Sequence, residues 1–488
     1  MQEDGSAAPG NLVRALRDLL GEDSVLTERE ECLPFECDGL SVYRRSPMLV
    51  ALPSNVMEVQ EVMRLCHRSK IPVVARGAGT GLSGGALPVP QGVLLVLSKL
   101  DNILEIDPVN RTAVVQPGVR NLAISEAASP YGLYYAPDPS SQIACTIGGN
   151  VAENSGGVHC LKYGLTVHNI IELKVVTVEG ELLVLGSGAP DSPGYDLLAL
   201  MTGSEGLLGV IVEATAKLLP RPERAQVMLA AFDEVEKAAE AVGAIISAGI
   251  IPAGLEMMDR LAIAAAEAFA HAGYPIGAEA ILLCELDGSN AEVSEHVMKV
   301  REILKLSGAT EVRTASDEEE RRILWKGRKS AFPAVGRISP DYYCMDGTIP
   351  RKNLGKVLRG ISELSGKYAL RVANVFHAGD GNLHPLILFD AESELEKAEA
   401  FGAEILLLCV EAGGTITGEH GVGMEKLDAM CFQFSGEELA QFHAIKAAFD
   451  PMNLLNPGKA VPALHRCAEF GMMHVHRGRL PHAHLERF

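Results

Sequence analysis

The sequence has no hydrophobic run long enough for a membrane-spanning helix, and none of its 10 cysteines stand in C-x-x-C spacing. The first absence predicts a chain without a transmembrane segment. The second argues against a disulfide framework, a zinc ribbon or a resident iron–sulfur cluster. Basic residues are also few, since the chain has 43 Lys and Arg but 63 Asp and Glu, which gives a formal net charge of -20. Such a chain has no general basic surface, which excludes nucleic-acid binding and leaves anionic substrates to local Lys or Arg clusters.

The composition is otherwise that of an ordinary globular protein, with 47% hydrophobic and 22% charged residues. At 488 residues the chain is too long for one compact core, so two or three domains are expected. The N-terminal MQEDGSAAPG lacks a basic segment followed by an apolar one. This predicts a cytoplasmic protein.

A dense glycine cluster follows an apolar strand pattern in residues 71–85, which read IPVVARGAGTGLSGG. Backbone N–H groups in such a loop form a concavity suited to phosphate oxygens, so we expect a pyrophosphate here. Residues 79–84 also satisfy G-x-G-x-x-G. The Rossmann fingerprint requires a helix after the third glycine, whereas Pro88, Pro90 and a strand pattern at 93–97 follow. A glycine-rich turn without a ligand is the alternative.

Two further clusters of small residues follow in the same part of the chain. Residues 146–157 read TIGGNVAENSGG, shortly after PDPSS at 137–141, and residues 202–209 read TGSEGLLG. The spacing in the first is too irregular for a helix, and Gly and Asn tolerate the conformations that turn backbone amides toward a flat ring system. A double turn without a ligand is the alternative for this cluster.

Pro220 and Pro222 mark a boundary at which the pattern of predicted strands and helices changes. Short apolar strands then alternate with amphipathic helices to about residue 412, which predicts an α+β cap with an antiparallel sheet and helices on one face. Ser316 and Glu319 form a candidate capping box for one of these helices. The predicted divisions are residues 1–220, 221–415 and 416–488.

Residues 372–389 read VANVFHAGDGNLHPLILF, two apolar strands around a turn. With a turn at 379–382, His377 faces His384 on one side of the sheet. Glu419, in GGTITGEHGVG at 413–423, would complete a His₂Glu set with an open position, which is typical of catalytic metal sites. His420 would then face the substrate as a base. The alternative is a structural histidine pair and an exposed Glu-His turn.

The runs ARGAGTGLSGG, PDPSS, TIGGNVAENSGG and TGSEGLLGVI resemble the FAD-binding domain of the vanillyl-alcohol-oxidase and p-cresol-methylhydroxylase (PCMH) flavoproteins. The resemblance implies that the first loop holds the FAD pyrophosphate, the second cluster lies along the isoalloxazine and the third lies near the adenine. Members with covalent FAD often carry histidine where this chain has Thr80, so the resemblance implies non-covalent FAD. The implied cofactor residues are Arg76, Gly77, Ala78, Gly79, Thr80, Gly81, Ser83, Gly84, Gly85, Pro137, Asp138, Ser140, Thr146, Gly148, Gly149, Asn150, Asn154, Gly156, Gly203, Glu205, Gly206, Gly209, Ile211 and Asn456.

HAGDGNLH, GEHGVG and LLNPGK are similar to the metal-containing D-2-hydroxyacid dehydrogenase branch of this family. Residues 332–351 and 465–481 look like the FAD-binding subunits of bacterial glycolate oxidases. The resemblance implies oxidation of glycolate to glyoxylate by hydride transfer from Cα to flavin, with D-lactate or another short D-2-hydroxyacid as the alternative substrate.

Roles for individual residues also follow from this resemblance. It makes His420 the base, gives a divalent metal, with zinc favoured, to His377, His384 and Glu419, and assigns the substrate carboxylate to Arg328. A solvated helix arginine is the alternative for Arg328. Relatives that act on dicarboxylates carry further polar groups about where this chain has Phe332 and Cys344, and that departure favours a short substrate.

The resemblance also implies partners. Reduced flavin would pass electrons to a second FAD-binding subunit and an iron–sulfur subunit that deliver them towards membrane quinone. The protein would then be cytoplasmic or peripheral at the inner face of the membrane. The tail carries His465, His474, His476, His482 and His484, which predicts a partner-docking or mobile extension, with a second metal site as the alternative. Two other functional classes stay open: a metal-dependent hydrolase and a non-catalytic flavin-bearing scaffold.

Overall fold

The computed structural model describes residues 10–189 and 193–463. Residues 1–9, and the tail with its five predicted histidines, lie outside these ranges. Within them, no helix combines the length and the apolar character needed to cross a bilayer.

The described chain contains strands in four sheets. In chain order the strands are β1 (Val25–Leu26), β2 (Leu49–Ala51), β3 (Val73–Arg76), β4 (Val93–Val96), β5 (Ile103–Asp107), β6 (Thr112–Val115), β7 (Leu133–Tyr134), β8 (Ile170–Val176), β9 (Leu182–Gly186), β10 (Val210–Lys217), β11 (Leu219–Pro220), β12 (Arg224–Phe232), β13 (Gly254–Asp259), β14 (Ala280–Gly288), β15 (Glu311–Thr314), β16 (Asp341–Cys344), β17 (Gly347–Thr348), β18 (Val372–His377) and β19 (Asn382–Phe389).

Helices cover these sheets. They are α1 (Gly10–Leu20), α2 (Arg29–Cys32), α3 (Val56–Ser69), α4 (Asn121–Ala128), α5 (Ile147–Glu153), α6 (Cys160–Tyr163), α7 (Thr166–Asn169), α8 (Leu197–Met201), α9 (Val235–Ser247), α10 (Arg260–Ala270), α11 (Asn290–Leu306), α12 (Glu318–Lys329), α13 (Ala331–Val335), α14 (Leu354–Tyr368), α15 (Leu395–Glu411), α16 (Leu427–Gln433) and α17 (Gly436–Phe449). Short 3₁₀ helices occupy Glu22–Ser24, Leu33–Phe35, Ser129–Tyr131, Arg351–Asn353 and Glu392–Glu394.

The first part of the chain builds a four-stranded sheet of order β1-β2-β4-β3 and a five-stranded antiparallel sheet of order β5-β6-β10-β8-β9. Strands β3 and β4 are parallel, and the segment between them, which holds the first glycine loop, contains no helix. This agrees with the rejection of a Rossmann fingerprint. The end of the described chain returns to the same sheet, because Val73 N donates to Leu454 O and Asn456 N donates to Val73 O.

The second part builds an eight-stranded antiparallel sheet, with β15-β12-β14-β13-β18-β19-β16 in order and β17 paired to β19. The prediction of helices on one face only is wrong. Met228, Ala230 and Phe232 of β12 pack into a core with α9, α11, α14 and α15, while the alternate residues of β12 pack with α10, α12 and α13. Successive side chains of a strand point to opposite faces, so a strand that is apolar at every position requires helices on both.

Two local predictions also need correction. Residues 146–157 do contain a helix, α5, because Ile147 and Val151 are one helical turn apart and both are fully buried. The glycines that hid this periodicity allow close packing, since a Cβ on Gly148 would lie 2.6 Å from the Cβ of Pro117. The N-cap of α12 is Asp317, which accepts from Glu320 N, rather than the predicted Ser316 and Glu319.

Candidate active site

The glycine clusters and the histidine hairpin line the same cavity, which has a volume of about 490 Å³. That size is within the usual range for ligand pockets. From the predicted cofactor set the lining includes Arg76, Gly77, Ala78, Gly79, Thr80, Gly81, Gly85, Ser140, Thr146, Gly148, Gly149, Asn150, Glu205, Gly206, Gly209 and Ile211. From the predicted catalytic and metal sets it includes Arg328, His377, His384, Glu419 and His420.

Eight residues of the predicted cofactor set do not line this cavity. They are Ser83, Gly84, Pro137, Asp138, Asn154, Gly156, Gly203 and Asn456. Several of them support the lining from behind. Asn456 Nδ2 donates to the carbonyls of Gly85 and Glu205, and the carbonyl of Ser83 accepts from Met424 N.

The glycine-loop side of the cavity fits a cofactor with phosphate and polar ring groups. Gly79 has φ +71°, and a Cβ on Gly77 would lie 2.2 Å from Thr146 Oγ1, so side chains at these positions would be strained or would clash. Along α5, three buried polar atoms lack a hydrogen-bond partner in the described chain: Thr146 Oγ1, Asn150 Nδ2 and Glu153 Oε2. Buried polar atoms are normally satisfied, so these atoms point to a bound polar ligand.

The opposite side of the cavity carries the predicted metal ligands in a buried cluster. Oε1 of Glu419 lies 3.0 Å from Nε2 of His384 and 3.5 Å from Nε2 of His377. Burial alone would raise the pKa of Glu419, but hydrogen bonds from His377 and His384 lower it well below its ordinary value. Two imidazole nitrogens and an ionised carboxylate that converge in this way fit a divalent cation such as Zn²⁺.

The register of the hairpin differs from the prediction. His377 pairs with Asn382 and His384 pairs with Val375, so the two histidines are diagonal neighbours rather than opposite one another. The turn is 378–381, in which Gly381 has φ +88° and Asp380 Oδ1 accepts from Asn382 N. Both imidazoles still leave the same face, with ring centroids 5.1 Å apart.

The second nitrogen of each hairpin histidine contacts an oxygen that holds its ring in place. His377 Nδ1 lies 2.9 Å from Glu256 Oε1, and His384 Nδ1 lies 3.4 Å from the carbonyl of Met345. Burial lowers the pKa of a histidine, yet the carboxylate of Glu256 raises that of His377 well above its ordinary value. Metal-binding histidines commonly have such an oxygen partner, which fixes the ring orientation.

Arg328 is buried, with only 1% of its surface exposed, so the alternative of a solvated helix arginine is wrong. Its Nη2 lies 2.6 Å from Glu256 Oε2. Burial raises the pKa of a carboxyl, but His377 and then Arg328 together lower that of Glu256 below its ordinary value. Glu256, which sequence reasoning did not identify, therefore contacts both Arg328, the candidate for binding the substrate carboxylate, and His377, a candidate metal ligand.

The loop of residues 413–423, here called the Glu-His loop, is held by Asp346. The Asp346 carboxylate is completely buried and accepts from the backbone N–H groups of Gly418, Glu419 and His420. It also pairs with Lys426 Nζ at 3.1 Å. Burial would raise the pKa of Asp346, but Lys426 lowers it well below its ordinary value. Asp346 thus fixes both functional residues of the loop without touching the cavity.

Glu205 holds the Glu-His loop from the other side. Its two carboxylate oxygens accept from Val422 N and Gly423 N at 2.7 Å each. Because Glu205 itself lines the cavity, it joins the third glycine cluster to the catalytic candidates.

His420 lies beside the metal-binding candidates. Its ring stacks on that of His384 at a centroid distance of 5.1 Å, and its Nε2 is 3.9 Å from Glu419 Oε1. Burial, together with the nearby His384 and Lys426, lowers the pKa of His420 to about 4. A neutral imidazole keeps a lone pair that can accept a proton.

The two residues associated with substrate length have different positions. Phe332 lines the cavity, and its ring contacts that of His384 at 6.1 Å between centroids. Cys344 does not line the cavity, although its thiol lies close behind His384 and His420.

Comparisons with known proteins match two long stretches of this chain. Residues 47–186 match the FAD binding domain, and residues 221–460 match the C-terminal domain of FAD linked oxidases. The chain is 64% identical to glycolate oxidase subunit GlcD of Escherichia coli (strain K12), over 98% of this chain and 96% of that protein. It is 32% identical to a D-lactate dehydrogenase of Anaerostipes hadrus, over 87% of this chain and 92% of that protein.

A solved structure shows the same fold. The structure of p-cresol methylhydroxylase with substrate bound superposes with a TM-score of 0.79 at 20% identity, covering 94% of this chain and 98% of that chain. The predicted fold class, a PCMH-type FAD-binding domain with an α+β cap, is confirmed.

Proposed function

Because this chain belongs to the FAD-linked oxidases, as an FAD-dependent oxidoreductase that acts on a hydroxyacid, we propose that its substrate is glycolate, which it oxidises to glyoxylate. The observation that supports this most is the single cavity lined by both the glycine loops and the cluster of Arg328, His384 and His420. A hydroxyacid oxidation needs an electron acceptor, a base and an anchor for the carboxylate within reach of one substrate.

The residues on the glycine-loop side of the cavity would hold the cofactor. The bare loop around Gly79 offers backbone amides to the pyrophosphate, and Thr146 and Asn150 offer unpartnered polar groups. FAD bound there supplies the acceptor for the hydride equivalent lost from Cα.

The residues on the opposite side of the cavity would bind and deprotonate the substrate. Arg328, held by Glu256, fixes the carboxylate, and His420 accepts the hydroxyl proton. His377, His384 and Glu419 would hold a divalent cation, for which we favour Zn²⁺. Bound there, the cation supplies Lewis-acid chemistry that favours loss of the hydroxyl proton.

Arg328→Lys tests the carboxylate anchor. Lysine keeps the charge opposite Glu256 but loses the planar fork, so kcat/KM for glycolate should fall by about 10- to 100-fold, mainly through KM. Steady-state kinetics at equal FAD occupancy measure this, and Arg322→Lys on the exposed side of the same helix is the matched control. An unchanged KM in Arg328→Lys would contradict the assignment.

Stopped-flow bleaching of the flavin tests the reaction itself. We expect glycolate to reduce the bound FAD fastest and D-lactate more slowly, because Phe332 bounds the cavity beside His384, and L-lactate is included as the enantiomer outside the proposed D-2-hydroxyacid class. One additional methyl group changes discrimination by about 10- to 200-fold in such a pocket. Faster reduction by D-lactate would favour the alternative substrate, and no reduction by any of the three would reject the proposal.

The E. coli relative is named as a subunit, so we infer that this chain also works in a complex. The predicted second FAD-binding subunit, the iron–sulfur subunit and a peripheral position at the inner membrane face stay predictions. Co-purification of the tagged chain, followed by iron and acid-labile sulfide analysis, tests them. Co-purification that recovers no second flavoprotein and no iron or acid-labile sulfide would reject them.

A further inference from the structure

A second group of metal-ligand side chains lies beside the first. Cys344, His384 and His420 each offer one donor atom, and these atoms lie within 4.8 Å of one another. Cys344 ends β16, while His384 belongs to the neighbouring strand β19. This thiol set, as we call it, shares only His384 with the set of His377, His384 and Glu419.

We propose that Cys344, His384 and His420 form an inhibitory site for soft divalent cations such as Cd²⁺. The inhibition, though not the binding, rests on the proposed function, in which His420 is the base. Binding forms metal–sulfur and metal–nitrogen bonds and releases the thiol proton of Cys344 to solvent.

The donors of the thiol set are available to a cation. Cys344 is buried and its Sγ makes one weak contact, 3.4 Å to the carbonyl of Met345. Nδ1 of His420 is buried without a hydrogen-bond partner in the part of the chain that the structure describes. A buried ring nitrogen normally has a partner, so the unpartnered Nδ1 of His420 is a donor that a bound cation could use.

Only one of the two sets can use His384 at a time. A neutral imidazole has one lone pair, because its other nitrogen carries a proton. His384 directs Nε2 toward Glu419 at 3.0 Å, and a cation in the thiol set would take the one lone pair of the neutral His384 ring together with that of His420. Occupation of the thiol set would therefore remove both a ligand of the first set and the base.

The chemistry of the donors separates the two sets by cation type. Two imidazoles and a carboxylate suit borderline and harder cations, whereas a thiolate selects soft ones. Mg²⁺ or Ca²⁺ should therefore not inhibit, and Cd²⁺ should.

The test begins with a protein that lacks the one free cysteine of the described ranges that is not buried. Of the eight free cysteines in the described ranges, Cys37 is the one that is not buried. FAD-loaded Cys37→Ser is therefore the parent, and Cys344→Ser is added to it, with Cys344→Ala as a second variant if serine prevents FAD retention. Cadmium K-edge X-ray absorption reports whether sulfur is bound to the ion.

The proposal expects one sulfur and nitrogen neighbours around Cd²⁺ in the parent, and no sulfur once Cys344 is replaced. Cd²⁺ binding, and inhibition relative to each protein's own uninhibited rate, should weaken by more than the roughly 10- to 100-fold that loss of an outer-shell partner costs, because Cys344 is a direct ligand. Absence of sulfur in the parent, or equal affinity in both proteins, would overturn it. Because the absorption spectrum needs no turnover, it decides the binding even if glycolate is not the substrate.

Discussion

Replacing His420 with alanine is expected to slow reduction of bound FAD by glycolate by about 10²- to 10⁴-fold, the usual contribution of a general base. His420 lines the cavity beside His384, and burial keeps its ring neutral and able to accept a proton. FAD occupancy should be unchanged, because the unpartnered polar atoms that we assign to the cofactor belong to residues along α5 and not to His420. Stopped-flow reduction of the FAD-loaded variant measures the effect.

His296→Ala is the matched control, since His296 lies on α11 away from the cavity lining. A non-catalytic flavin-bearing scaffold would be indifferent to both substitutions. Equal and fast reduction in His420→Ala and in the control would therefore reject His420 as the base, whereas bound FAD that glycolate does not reduce in any of the proteins would favour the scaffold.

Asp346→Ala is expected to lower the free energy of unfolding by about 3 to 5 kcal/mol, because it leaves the ammonium of Lys426 buried without its carboxylate. The substitution also removes the acceptor for the backbone N–H groups of Glu419 and His420. Slow flavin reduction should accompany the loss of stability, since the Glu-His loop is then no longer fixed. Urea unfolding followed by flavin and tryptophan fluorescence measures the first effect.

A double variant separates the two consequences. Asp346→Ala with Lys426→Met removes the unpaired charge, so part of the stability should return while flavin reduction stays slow. If the double variant recovers full activity, Asp346 contributes only stability and does not position the loop. If Asp346→Ala alone is as stable and as active as the unmodified protein, the role assigned to Asp346 is wrong.

The sequence predicted those parts of the site that depend on local patterns. The glycine loop at 77–85 and the residues around Glu419 could be predicted as parts of a site. A dense run of glycines indicates a backbone that takes special conformations or lies close to a ligand. The face shared by His377 and His384 followed from strand alternation, even though the turn was placed one residue too late. Gly381, with its positive φ, sets the turn, and strand alternation alone does not report which nearby glycine takes that conformation.

Glu256 and Asp346 could not be predicted in this way. His377 lies 121 residues from Glu256, and His420 lies 74 residues from Asp346, so no local spacing reports either contact. The apolar surroundings of Glu256 in β13, GLEMMD, were the available signal, because a carboxylate inside a buried strand needs a partner. Helix α5 was hidden for a different reason, since its two consecutive glycines mask the periodicity of Ile147 and Val151.

The central claim is that one cavity holds the flavin on one wall and a cation on the other. X-ray diffraction from crystals of the FAD-loaded protein, with anomalous data at the metal edge, tests it most directly. The account predicts an anomalous peak bound by Nε2 of His377, Nε2 of His384 and the Glu419 carboxylate, with the isoalloxazine across the same cavity. An anomalous peak elsewhere, or FAD bound away from the loop around Gly79, would contradict it.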